Sequence, residues 1–338
     1  MRRRLFHLTA ARRSAGLAAA LAAVPLVALW AMTVGSSAIP ASDILDAVFG
    51  YAGTRNHIVI LDVRLPRVLA GLVVGAQLAV AGAIMQAVTG NPLASPGLLG
   101  INAGAAFAVV CAIAIAGIDG MTALTWVAFA GAGAAAGCVY LLGSLGPGGA
   151  RPLKLVLAGV VLTAFLGSLT ATILLLDHRT LDDVRMWSAG MLGGRPLSTV
   201  ASVAPYGLAG LAAALVTSRH IMTLSLGPDI ARSVGLHTGL WRLVAAAVVL
   251  LLAGSAVALA GPIGFVGLVV PHLVRGVVGS DYRWIIPYSI PVGALLVVVA
   301  DTAFRQMAGL DLPVGVTMAL IGAPVFITVA RRRTLARA

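Results

Sequence analysis

A chain of 338 residues that is 60% hydrophobic and 10% charged, with a mean hydropathy of +1.02, is not a soluble globular protein, where charged residues make up about a quarter. Its net charge of +12 does not point to nucleic acid, because the basic residues fall between apolar runs in the positive-inside arrangement. Glutamate is absent and Lys154 is the only lysine, which excludes a Walker A loop, so ATP hydrolysis has to come from another chain.

Taken in order, the chain opens with Arg2, Arg3, Arg4, Arg12 and Arg13, a basic arm over residues 1–14. The apolar run of 15–34 that follows is longer than the ~7 to 15 residues of a signal-peptide core and is read as an uncleaved first span. At ~20 apolar residues per span, further helices are expected near 67–88, 98–117, 122–142, 154–176, 198–217, 241–260, 263–279, 284–305 and 312–330. The expectation is an all-α polytopic membrane protein: a single domain over 15–338, with ten spans and its longest inner loop at 218–240.

An even number of spans puts both termini on one side. That side carries sixteen basic residues against Asp229 and Asp281, whereas the other carries seven arginines and nine aspartates, so the termini are assigned to the cytoplasm. The second span ends in LAVAGAIMQAVTGNPLASPGLLG and the seventh in SAVALAGPIGFVGLVVPHLVR, each a small-residue helix broken by a Gly/Pro turn. They lie five spans apart and so cross in opposite directions, as in an inverted repeat of two five-helix halves. Cys111 and Cys138 lie inside apolar spans at different depths and are read as packing residues rather than a disulfide or a metal pair.

In the second span Gly71, Gly75, Ala79, Gly82 and Gln86 share a face, a seam for close helix approach with one hydrogen-bonding side chain. Asn91, Pro92, Ser95, Pro96 and Gly97 then form an uncharged turn that either connects two helices or presents backbone groups to a path. Arg64 and Arg67 precede that span on the outer side, and Arg305 ends the ninth. Two readings stand: local pairing, with Asp62 beside Arg64 and Asp301 four residues before Arg305, or guanidinium forks offered to a soluble partner.

In the inner loop, Pro228 suits a first helical position, Asp229 complements a helix N-terminus and Gly235 a C-terminal stop, predicting about two turns. Ile230, Ala231 and Val234 form its apolar face, which lies on the bilayer or inserts into a partner's groove. The six histidines are scattered without metal-ligand spacing, and there is no HExxH, GxSxG or intramembrane acid pair. Asp301, the deepest carboxylate, is expected to be neutralised by Arg305, which leaves no proton carrier at mid-membrane and counts against a proton-coupled secondary transporter. An intramembrane enzyme lacks a catalytic pair in a span.

RLPR, GAQLAVAGAIMQAVTGNPLASPGLLGINAGA, LGPDIARSVGL, GPIGFVGLVVPHLVR with GSDYR, ADTAFR and LPVGVTMALIGAPVFI resemble, in this order, the permease subunits of bacterial ATP-binding-cassette importers for iron-siderophores, haem and vitamin B12. The resemblance runs from about residue 60 to the C-terminus, while the first span matches in hydropathy alone. It implies ten helices per subunit in the bacterial inner membrane, a homodimer or pseudo-homodimer, two cytoplasmic ATPase subunits that hold ATP and magnesium, and a periplasmic binding protein. No cofactor is implied on this chain. The resemblance assigns Arg64, Arg67 and Arg305 to docking the binding protein, and Gly227, Asp229, Ile230, Ala231, Arg232, Val234, Gly235 and Leu236 to coupling with the ATPase. Relatives often carry an acidic residue directly after the coupling-loop glycine, where Pro228 stands here. The fifth and tenth helices are implied to line the path, with Gly159, Thr163, Gly167 and Thr170 on one and Gly315, Ala319 and Gly322 on the other; packing alone also explains both stripes. The expected cargo is a ferric siderophore, with haem or cobalamin as the alternative.

Overall fold

The small-residue span that follows Arg64 forms the axis of the molecule. In the computed structural model, which describes residues 9–35, 38–145, 152–308 and 312–334, every regular element is helical. The first eight residues of the basic arm, Arg151, Asp311 and Arg337 lie outside the described residues. The helices are α1 (Ala10–Thr33), α2 (Ala41–Phe49), α3 (Arg55–Thr89), α4 (Ile101–Ala114), α5 (Met121–Ser144), α6 (Pro152–Leu176) and α7 (His178–Ser188). They continue with α8 (Leu197–Ser225), α9 (Pro228–Ser233), α10 (Thr238–Ala260), α11 (Val266–Val278), α12 (Tyr282–Ala308) and α13 (Val314–Thr334). Among the described residues α1, α3, α5, α6, α8, α10 and α12 are long and apolar enough to cross a membrane, and α4, α11 and α13 are shorter apolar helices. Together they fall where the ten spans were expected.

The apolar stretch of α3 is 83% buried against 6% for α6, which makes α3 the core and α6 an outer face. Glycine is what lets α3 sit there. A Cβ at Gly75 would lie 2.3 Å from the Gly293 carbonyl oxygen of α12, and one at Gly82 would lie 1.9 Å from the Gly267 oxygen of α11. The predicted seam therefore exists but meets two partners in turn, α12 beside Gly71, Gly75 and Ala79, then α11 beside Gly82 and Gln86. With no hydrophobic drive between helices in lipid, such close approach supplies the packing energy.

The directions follow from the contacts. Arg67 meets Asp301, and further along α3 Gly75 meets Gly293, so α3 and α12 are antiparallel. Ser255 donates a 3.2 Å hydrogen bond to the Gln77 Oε1, while Ile84, Met85 and Val88 share a cavity with Ala245, Ala246 and Val249, so α3 and α10 are antiparallel too. This is the relation an inverted repeat requires of its second and seventh spans.

The two Gly/Pro turns meet inside the molecule. In the first, Gly90 and Gly100 take left-handed conformations, the Asn91 side chain accepts from the Leu93 amide, and Pro96–Leu99 form a short 3-10 turn. In the second, Gly261 and Phe265 have positive φ. Gln86 Nε2 donates to the Gly267 oxygen at 3.1 Å, and a Cβ on Gly267 would lie 3.3 Å from the Pro96 ring, which joins both turns to the C-terminal half of α3.

Two short helices, α2 and α7, were not expected from the sequence. In α2, Ile44 and Ala47 are buried, and in α7, Val184 and Trp187 are buried; each pair is three residues apart on one face. Asp177 caps α7, accepting from the Arg179 amide and the Thr180 hydroxyl. The chain leaving α7 lies over the second turn: Met191 N donates to the Ala260 oxygen, and Gly315 N to the Gly190 oxygen.

Candidate functional site

Near the start of α3, the two RLPR arginines point into the protein. Arg64 closes a π-turn at Val59–Arg64, is 4% exposed, and donates from Nη1 to the Met32 oxygen at 2.6 Å. That carbonyl lies in the last turn of α1, where no intrahelical donor is available. Arg67, 6% exposed, makes a two-pronged fork to Asp301: Nε to Oδ2 and Nη2 to Oδ1, each 2.8 Å. Asp301 is equally buried, and Asp62 is exposed. The local pairs read from the sequence are thus corrected. Antiparallel packing sets Arg67 and Asp301 at one height, and a planar guanidinium fits a facing carboxylate bidentately. Arg305 lies four residues beyond Asp301, half-buried, near enough to Arg64 for the two charges to repel.

Between α8 and α10, α9 is the predicted two-turn helix. Pro228 is in its first turn, Asp229 follows, and Gly235 stops it at φ 81° with its amide donating to the Arg232 oxygen. Ala231 is fully buried and anchors α9 to the body, whereas Ile230 and Val234 are 51% and 66% exposed. The expected single apolar face is therefore divided: Ala231 packs inward, and the larger pair points out. Asp229 and Arg232 form an exposed pair at 3.1 Å, and Gly227 begins the helix at φ 100°. Leu236 is half-buried.

An open cavity of about 720 Å³ adjoins α9. Thr89 and Asn91 of the first Gly/Pro turn, Pro152 and Val156 of α6, and Arg232 and Arg242 line it. The NPLASPG turn, whose role the sequence left open, thus faces α9 across this space.

The residues expected along a path divide as well. On α6, Thr163 and Gly167 are exposed and Thr170 is half-buried. Gly159 instead packs on the first turn, where a Cβ would lie 1.8 Å from the Leu98 oxygen. On α13, Gly315 meets the Ala189 oxygen and Gly322 meets the Phe265 side chain, leaving Ala319 exposed. Three of the seven small residues are therefore explained by contacts within the chain.

One buried charge escaped the sequence reading. Arg195, just before α8, is buried; its Nη1 touches Met121 Sδ, and its Nε has no hydrogen-bond partner among the described residues. Burial pushes its pKa down to about 10, so it stays protonated at neutral pH. Hydropathy does not flag a single arginine between Gly194 and Pro196.

A polytopic helical membrane protein, with a fixed central helix and a short helix that exposes apolar side chains between α8 and α10, is the class these features define. The chain belongs to the FecCD transport family, whose model matches residues 23–332. It is 46% identical over 290 residues to the "probable siderophore transport system permease protein YfiZ" of Bacillus subtilis (strain 168), covering 86% of this chain and 87% of that one. It is 43% identical to the ferric enterobactin transport system permease protein FepD of Escherichia coli (strain K12), covering 90% and 91%. Among solved structures, a metal-chelate type ABC transporter in an inward-facing conformation matches with a TM-score of 0.82 at 26% identity, covering 94% of this chain and 98% of that one.

Proposed function

We propose that this chain is the membrane permease subunit of an ATP-driven importer that passes a ferric siderophore from a periplasmic binding protein to the cytoplasm. The observation that carries the reading is α9, whose Ala231 is locked into the body while Ile230 and Val234 face outward. A helix held at one face and apolar at the other fits a groove on a partner, and a chain without a Walker A lysine needs such a partner for ATP. The siderophore cargo is supported by the names of the relatives, similar over nearly their whole length. Haem and cobalamin are the alternative cargoes.

On this reading two copies of the chain sit in the inner membrane with both termini in the cytoplasm, and two ATPase subunits bind through residues 227–236. The binding protein docks on the outer end, around Arg64, Arg67 and Arg305. Residues such as Thr163, Gly167, Thr170 and Ala319, on exposed faces of α6 and α13, border the path. The chain itself makes and breaks no bonds. A panel of ferric siderophores, haem and cobalamin, titrated against the cognate binding protein, tests the cargo: nanomolar to micromolar binding of a ferric siderophore is expected, and binding of cobalamin or haem alone would replace it.

A further inference from the structure

The two helices that flank α9 are fastened to each other near that helix and to the centre of α3 further along. Resting on the coupling reading of α9, we infer that α8 and α10 form a lever, clasped by a ring stack between His220 and Trp241. The lever carries displacement of α9 by the ATPase to Gln77 of α3, and the two rings are positioning residues for that transmission.

The His220 ring of α8 lies flat on the Trp241 indole of α10, with centroids 3.6 Å apart and planes 8° from parallel. Further along, both helices close on one buried side chain: Ser255 of α10 donates to the Gln77 Oε1, and a Cβ on Gly207 of α8 would overlap the Gln77 amide. Gly207 and His220 are thirteen positions apart on α8, and Trp241 and Ser255 fourteen apart on α10. The two fastenings therefore face each other across antiparallel helices, about 20 Å apart at 1.5 Å per residue. By contrast, α9 is held lightly. Its side-chain hydrogen bonds and its ion pair stay within the helix, and Ala231 is its buried residue. Displacement of α9 thus reaches the body through the helices on either side, and the stack is the contact that makes them move together. His220 also keeps its Nδ1 buried without a hydrogen-bond partner among the described residues. That costs stability which an apolar side chain would not lose, so filling space does not account for the ring.

The test uses the complete importer in proteoliposomes, measuring transport per ATP hydrolysed, together with the Kd of the ATPase for this chain in nanodiscs. His220→Leu and Trp241→Leu fill the space without a ring. Each is expected to keep ATPase affinity within about threefold of wild type while lowering transport per ATP at least fivefold. His220→Phe and Trp241→Phe keep a stacking ring and are each expected to hold coupling within about twofold of wild type. Wild-type coupling in the leucine variants overturns the lever, and so does an equal loss in the phenylalanine variants. A tenfold fall in ATPase affinity in the leucine variants, or their failure to assemble, overturns it too, because the stack would then shape docking or folding rather than transmission. Ile230→Asp with Val234→Asp separates this from the coupling reading. Unchanged ATPase affinity there sinks α9 as the contact, whereas a loss there beside fully coupled leucine variants sinks the lever alone.

Discussion

Single residues on α3 and around it set the distances on which the rest depends. Gly82 lies so close to the Gly267 oxygen that even a methyl forces the helices apart. Gly82→Ala is expected to cost about 1–3 kcal/mol, read as a lower unfolding temperature of the solubilised protein; an unchanged temperature would remove the close approach from the account. Arg195 presents the opposite case, a buried charge with an unsatisfied Nε. Arg195→Met should raise the unfolding temperature, by ~1 kcal/mol or more of relieved desolvation, and a fall would show that the guanidinium is held by something it binds. Asp281, ahead of α12, is held below the ordinary carboxylate range chiefly by its hydrogen bond from Arg283. A carboxylate with a lowered folded-state pKa contributes its stability above its unfolded value and loses it as pH falls through the lower folded one. Asp281→Asn should therefore narrow the stability difference between pH 7 and pH 3, and an equal acid response in both proteins would contradict the pairing. Pairings of this kind were the least legible part of the sequence. Asp301 and Arg67 are 234 positions apart, and only the antiparallel packing of α3 and α12 reveals that the nearer Arg305 is not the partner that forks onto Asp301.

Among the elements, α9 was legible because its signals are local. Pro228 starts it, Asp229 complements the dipole, and Gly235 takes the positive φ that ends it. Which apolar side chains face out was not legible, since a two-turn helix gives no depth and the anchor turned out to be Ala231. The replacement of Ile230 and Val234 by aspartate is expected to leave the chain folded while lowering its affinity for the ATPase at least tenfold in a pull-down or interferometry assay. Wild-type affinity in that variant would move the coupling contact elsewhere. Gly235→Val strains the left-handed stop and should reduce transport per ATP hydrolysed; unchanged coupling would count against α9. The helices α2 and α7 stayed hidden for a physical reason: they are short and amphipathic, burying Ile44 and Ala47 in one and Thr180, Val184 and Trp187 in the other, and lack the length and apolar content by which a span is recognised.

For the whole molecule, hydropathy was sufficient to place ten apolar helices, because a bilayer imposes a length on any chain that crosses it. The two broken helices of the repeat were visible as Gly/Pro runs, but their meeting at Gln86, Pro96 and Gly267 was not, since it depends on each turn folding back toward α3. That meeting links the turn facing α9 across the cavity to the turn beneath the segment 187–192. The central claim is that this chain moves cargo only as part of an ATP-driven complex. The most direct measurement is uptake of radioactive iron, supplied as a ferric siderophore, into proteoliposomes that hold this chain with its ATPase, with the binding protein outside and ATP within. The account predicts uptake that requires all three proteins, is abolished by vanadate and is unaffected by collapsing the proton gradient; uptake by this chain alone, driven by a proton gradient, would contradict it.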